Sequence, residues 1–161
     1  GACVIGTTGS AAKVGVARDL GCDRVVNYKE EDLDSVLQAE FPGGVDVAYD
    51  GVGGSLFQAA YNNLAEHGRI LIVGAISSYP HNASPQEHGI EGLESLMEIF
   101  RSKETVELGG GRRIIGNVWG SSFDTSTMLK ERDWLHEQHK LGNLRALVSS
   151  ELFRGRRHQN R

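Results

Sequence analysis

Cysteine and proline are scarce in this sequence: its 161 residues hold two cysteines, Cys3 and Cys22, and three prolines. Two cysteines build neither a disulfide framework nor a zinc cluster. The expectation is therefore a reducing compartment, the cytoplasm or an organellar matrix (mitochondrion or peroxisome), without secretion. No apolar run approaches the roughly 20 residues of a membrane-spanning helix, and no signal peptide is visible, so no membrane partner is expected. Positive charge is not in excess either. A net charge of -4 counts against nucleic acid as a main partner. The first residue is Gly1 rather than Met, which reads as a fragment or truncated gene product. Glycine, in contrast, is abundant at 21 residues. Many glycines with few prolines fit a fold rich in tight strand–helix turns, and the length suffices for one domain with a real core.

Apolar strand-like runs alternate with helical periodicity. Residues 2–6 read as a strand and 10–20 as a helix with Ser10 as N-cap and Val14, Ala17 and Leu20 as its apolar stripe. Strands follow at 24–28, 45–50, 69–74 and 114–119. Helices follow at 30–40, 55–66, 92–103 and 126–141. Residues 75–91 read as a polar loop and 104–113 as a Gly-rich insertion. A short strand at 145–148 precedes a basic, disordered tail at 151–161. This order implies an α/β fold with a parallel, doubly wound sheet. Residues 1–150 are taken as one partial dinucleotide-binding domain with a loop insertion at about 80–113.

A carboxylate is lacking where it would matter most. The first strand runs into Gly6-Thr7-Thr8-Gly9-Ser10, and Lys13 follows in the first turn of the helix. An acid at such a strand end accepts hydrogen bonds from an adenosine ribose and selects NAD. Hydroxyls, helix-end N–H groups and one lysine suit a ribose 2′-phosphate instead. No Gly-rich strand–turn–helix precedes this strand to hold a pyrophosphate.

Four segments then fall in order: Gly21–Tyr28 (GCDRVVNY), Gly44–Gly54 (GVDVAYDGVGG), His67–Gly74 (HGRILIVG) and Ala75–Tyr79 (AISSY). They resemble the cofactor domain of the medium-chain dehydrogenases/reductases, in the zinc-free quinone oxidoreductase and prostaglandin reductase branch. The resemblance covers residues 2–79, is weaker over 114–148, and is absent at 82–113 and in the tail. It implies an incomplete Rossmann-type sheet lacking its first strand and Gly-rich turn. In the order 3-2-1-4-5-6 that strand is central, so two half-sheets with open inner edges and poor solubility are expected. It also implies NADP as cofactor and hydride transfer to activated carbon–carbon double bonds of carbonyl-conjugated alkenes or quinones. It leaves room for a homodimer of the full-length protein.

Carried over residue by residue, Lys13 and Tyr28 match the pair that grips the 2′-phosphate. Ser10 lies beside a position that is serine in relatives and Gly9 here. Gly51 adjoins adenine and ribose, and Val73 and Tyr79 lie around the nicotinamide ribose. Asn117, Val118 and Trp119 line the nicotinamide, with Val118-Trp119 in place of the usual Phe-Phe or Phe-Leu. No residue stands out as catalytic, and the chain as it stands is expected to be inactive on enones and quinones. A non-catalytic nucleotide-binding remnant and an inactive truncated product are the alternatives.

Other motifs are weaker. His136-Glu137-Gln138-His139 is one residue short of H-E-x-x-H, so its zinc geometry fails and no metal is expected. Gly51-Val52-Gly53-Gly54 opens a helix, but Leu56 stands where a third fingerprint glycine belongs. Asn82-Ala83-Ser84 is a sequon without a secretory context.

Overall fold

The computed structural model describes residues 1–78, 99, 105–116 and 124–144. The chain divides into two compact units, Gly1–Trp119 and Gly120–Arg161.

In the first unit, β1 (Ile5–Thr8) pairs in parallel with β2 (Arg24–Asn27), Ile5 opposite Arg24 and Thr8 opposite Asn27. Helix α1 (Ala11–Asp19) connects them. A second sheet contains β3 (Val45–Asp50), β4 (Leu64–Ile72), β5 (Thr105–Glu107) and β6 (Arg113–Gly116) in the order β3-β4-β6-β5. β3, β4 and β6 are parallel, and β5 is an antiparallel edge strand. Helix α2 (Leu33–Glu40) leads from β2 to β3, and α3 (Gly54–Asn62) leads from β3 to β4. The architecture is the expected α/β fold with parallel strands, divided into two sheets.

Two apolar clusters hold the unit together. Phe57, Leu64, Ile70, Ile72, Ile99 and Ile114 bury the α3 side of the larger sheet. Val26, Leu33, Leu37 and Ala59 form the second cluster, with Ile5, Phe41, Val45 and Leu56 against it. This second cluster draws on both sheets, so α2 and α3 tie them together from one side. Full burial of each such side chain stabilises by about 1.5–3 kcal/mol.

Several boundaries differ from expectation, each for a local reason. β1 sits at Ile5–Thr8 rather than 2–6, because pairing with β2 sets its extent. Cys3, expected on a buried strand, is exposed ahead of it. The stripe on α1 is not buried: Val14 and Ala17 are half-covered and Leu20 is 52% exposed. α2 begins at Leu33, not residue 30, because the Asp32 carboxylate accepts the Ser35 N–H at 2.9 Å and caps it there. Helix 55–66 stops early. Its C-cap is Asn63, whose amide donates to the Ala59 carbonyl at 2.8 Å and the Asp34 carboxylate at 2.6 Å. Residues Leu64–Glu66 are already strand.

His67 and Gly68, which follow the expected helix 55–66, instead lie within β4. His67 has φ 61°, and the pairing with β3 steps from Val45 opposite Leu64 to Val47 opposite Arg69. Gly44, at φ 81°, enters this bulge closely; a Cβ there would sit 2.7 Å from the Ala65 nitrogen. Within the Gly-rich stretch 104–113, read as an insertion, β5 pairs with β6. The expected elements at 92–103 and 145–148 and the tail lie outside the described residues, apart from the buried, helical Ile99.

In the second unit, α4 (Thr125–Lys140) is capped by Asp124, which accepts the Thr127 N–H at 2.9 Å. Hydrogen bonds from Ser126 and Thr127 hold its carboxyl well below the usual range, at about 2. Among the described residues no helix is long and apolar enough to cross a membrane.

Candidate functional site

The predicted residues that the structure describes fall at the carboxyl ends of strands, where open α/β sheets bind their ligands. They form two groups in the first unit. One lies where β1 passes into α1, and the other where β3 and β4 end.

The first group contains Thr8, Gly9, Ser10, Lys13 and Tyr28. Ser10 is the N-cap of α1 in extended conformation, φ -152° and ψ 129°, and its side chain makes no capping bond. The first N–H groups of any helix lack intrahelical partners, and the helix dipole makes this end positive. Lys13 is exposed in the first turn, with its own N–H on the Ser10 carbonyl at 3.0 Å. No carboxylate lies in the Thr7–Ser10 turn. Tyr28 follows β2, and its N–H donates to the Thr8 carbonyl at 3.0 Å, which fixes it beside the same strand end. Its ring reaches over Gly9: a Cβ on Gly9 would collide with the Tyr28 hydroxyl. The Thr8 hydroxyl is buried and has no hydrogen-bond partner among the described residues. A helix N-terminus beside a lysine, with no carboxylate in the turn, suits an anion.

The second group is Gly51 and Val73. A Cβ on Gly51 would lie 3.8 Å from Val73 Cγ2, so the two positions adjoin. Sequence reasoning missed what fixes this turn. Asp50, buried at the end of β3, accepts the Val52 N–H at 2.9 Å and the Gly53 N–H at 3.1 Å. The Ser77 hydroxyl donates to the Val52 carbonyl at 2.5 Å. An Asp ending a strand before Gly-x-Gly is a turn signal in itself. Tyr79, Asn117, Val118 and Trp119 lie outside the described residues.

With this geometry in view, the comparisons are informative. The model of the zinc-binding dehydrogenase family matches residues 1–132. The chain belongs to that family. It is 44% identical over 89 residues to prostaglandin reductase-3 of Mus musculus, covering 54% of this chain and 24% of that protein. It is 41% identical over 99 residues to a 2-alkenal reductase (NADP(+)-dependent) of Nicotiana tabacum, covering 60% and 28%. Among solved structures, Escherichia coli quinone oxidoreductase complexed with NADPH superposes with a TM-score of 0.67 at 24% identity. That match covers 94% of this chain and 41% of the other and shows the shared fold. The aligned part spans about a quarter of each curated relative. A probable quinone oxidoreductase of Leishmania amazonensis is 48% identical over 79 residues, covering 49% of this chain and 23% of that protein, and these relatives agree with the resemblance to the quinone oxidoreductase and prostaglandin reductase branch. Among the described residues no three His, Cys, Asp or Glu side chains form a group able to hold a metal ion.

Proposed function

We propose that this chain is the cofactor-binding part of an NADPH-dependent oxidoreductase that reduces activated carbon–carbon double bonds of enones, quinones or related carbonyl-conjugated alkenes. The observation that carries the reading is the carboxylate-free turn Thr7–Ser10, which joins the positive end of α1, Lys13 and Tyr28 at one strand end. Lys13 and the free N–H groups of α1 hold the ribose 2′-phosphate, and the Tyr28 hydroxyl lies against the same spot. Asp50 holds the Gly51 turn in a shape that leaves room for adenosine, with Val73 beside it. NADPH, when bound, supplies the hydride. The chain's own residues bind and orient it. The NADP-dependent relative and the reductases among the matches support this reading. The free thiols Cys3 and Cys22 support a reducing compartment.

Titration with adenosine 2′,5′-bisphosphate and with adenosine 5′-monophosphate, followed by amide NMR shifts, tests the site without requiring turnover. The bisphosphate is expected to bind at least tenfold more tightly, with the largest shifts at residues 9–13 and 28. Equal affinities would overturn the reading.

A further inference from the structure

The turn after β3 and the segment after β4 run together beyond the ends of their strands. The Val73 N–H donates to the Asp50 carbonyl at 2.8 Å, and the Ser77 N–H donates to the Val52 carbonyl at 3.0 Å. A glycine permits this approach: a Cβ on Gly74 would lie 3.0 Å from the Gly51 carbonyl oxygen. Ser77 is half-buried and stands in a single 3-10 turn, Ile76–Ser78.

One peptide unit, that between Val52 and Gly53, joins the two segments. Its N–H donates to the Asp50 carboxylate at 3.1 Å. Its carbonyl accepts the Ser77 N–H and, at 2.5 Å, the Ser77 hydroxyl. A carbonyl oxygen has two lone pairs, so Ser77 alone can fill both. This peptide needs a hold from outside. Gly53 has φ 79°, in the left-handed region, and glycine passes between such conformations at little steric cost. Gly53 is also the N-cap of α3 and brings no side chain to cap it. Asp50 supplies one hold from within the turn, and Ser77 supplies the other from the end of the neighbouring strand. Their fit is close: a Cβ on Gly53 would sit 3.0 Å from the Ser77 Oγ.

We infer that Ser77 is a positioning residue of the proposed nucleotide site. Its hydroxyl locks the Val52–Gly53 peptide, and with it the Gly51 turn and the start of α3, to the segment that follows β4. Gly51 and Val73 thereby meet a ligand as one frame. The inference rests on the reading that the Gly51 turn, with Val73 beside it, takes the adenosine. The effect of Ser77 differs in kind from that of Lys13. A turn ordered in advance lowers the cost of binding for every adenine nucleotide alike, whereas Lys13 acts on the 2′-phosphate.

Amide hydrogen exchange and nucleotide titration of the 161-residue chain, as parent, Ser77→Ala and Ser77→Thr, test the inference. The exchange measurement needs no ligand. In Ser77→Ala the Val52 and Gly53 amides, which bond to Asp50 and not to Ser77, are expected to exchange at least fivefold faster than in the parent. The amides of Val25 and Val26 should keep their rates. In the titration, Ser77→Ala should weaken adenosine 2′,5′-bisphosphate and adenosine 5′-monophosphate by the same factor, at least threefold, with the preference between them unchanged. Ser77→Thr, which keeps the hydroxyl, should restore both the exchange rates and the affinities. Unchanged exchange at Val52 and Gly53 in Ser77→Ala would overturn the inference. So would faster exchange with both affinities intact, which is the mark of a merely structural serine, weakening confined to the bisphosphate, or an equal loss in Ser77→Thr. A parent chain that bound neither nucleotide would overturn the nucleotide reading, and the role of Ser77 with it; a failure in the variants alone would leave that reading standing.

Discussion

Tyr28 stands over Gly9 so closely that a Cβ on residue 9 would lie 2.7 Å from the ring carbon bearing the hydroxyl. The tyrosine takes the space that a side chain at position 9 would fill. Tyr28 is 45% exposed, so an outward turn of its ring meets solvent. Gly9→Ala should therefore leave stability within about 0.5 kcal/mol of the parent chain, as for a surface change. It should nevertheless displace the Tyr28 hydroxyl from the anion site. Affinity for adenosine 2′,5′-bisphosphate is expected to fall about fivefold, a loss of about 1 kcal/mol. A shifted Tyr28 ring signal in the NMR spectrum would report the displacement directly.

Asp50 shapes the second half of the site. Its buried carboxylate accepts two backbone N–H groups, and Asp50→Ala would leave the buried Gly53 N–H without that acceptor. A buried donor stripped of its acceptor costs about 1–3 kcal/mol. Denaturant unfolding should show a loss of that size for Asp50→Ala and a smaller one for Asp50→Asn, which keeps one acceptor oxygen. An unchanged midpoint for Asp50→Ala would show that the turn at Gly51 does not depend on it.

Arg24 joins the start of β2 to both ends of the α2 segment. Its guanidinium bonds Glu31 at 2.5 Å and Glu40 at 2.9 Å. The Arg24 hydrogen bonds hold both glutamates below the usual carboxylate range. Depressed carboxylates contribute stability above the ordinary glutamate pKa of about 4.3, and the contribution is lost as pH falls through the lower, folded values. Arg24→Ala should lower the thermal midpoint at pH 7. The gap to the parent chain should narrow below about pH 4 and shrink in high salt. A gap independent of pH and salt would mean that Arg24 acts through packing of its stem.

The alternation of strands and helices was legible because short apolar runs bounded by turn residues separate stretches of helical periodicity. β2 and β3 stand almost where their sequence places them. What the sequence hid was set by partners. β1 is offset because its extent follows β2. β4 starts at Leu64 because the Asn63 amide ends α3, and a bulge absorbs His67 and Gly68. β5 is three residues long, and its pairing with β6 is invisible to periodicity. For the candidate site, the missing acid and the Ser10–Lys13 helix start were readable as residues in order. The cover of Gly9 by Tyr28 was not, since it depends on a ring crossing from one strand end to another. Asp50 was readable in principle as a turn-forming Asp, but its neighbouring glycines drew the attention.

Lys13 separates phosphate recognition from mere solvation. It sits in the first turn of α1, exposed, near a strand end with no competing carboxylate. A charge-assisted contact to phosphate contributes on the order of 1.5–3 kcal/mol, or roughly ten- to hundredfold in affinity. Lys13→Ala should therefore weaken adenosine 2′,5′-bisphosphate by about that factor and leave adenosine 5′-monophosphate nearly unchanged. The same split, NADPH against NADH, is expected in a full-length protein that carries this segment. Lys13→Arg should retain most of the affinity, because the guanidinium also donates to phosphate. Equal weakening of both nucleotides would mean that Lys13 supports the local structure. No change in either would mean that the lysine is only solvated. Raising the salt concentration should erode the parent's preference and have little effect on the variant, since the variant has lost the charge that salt screens.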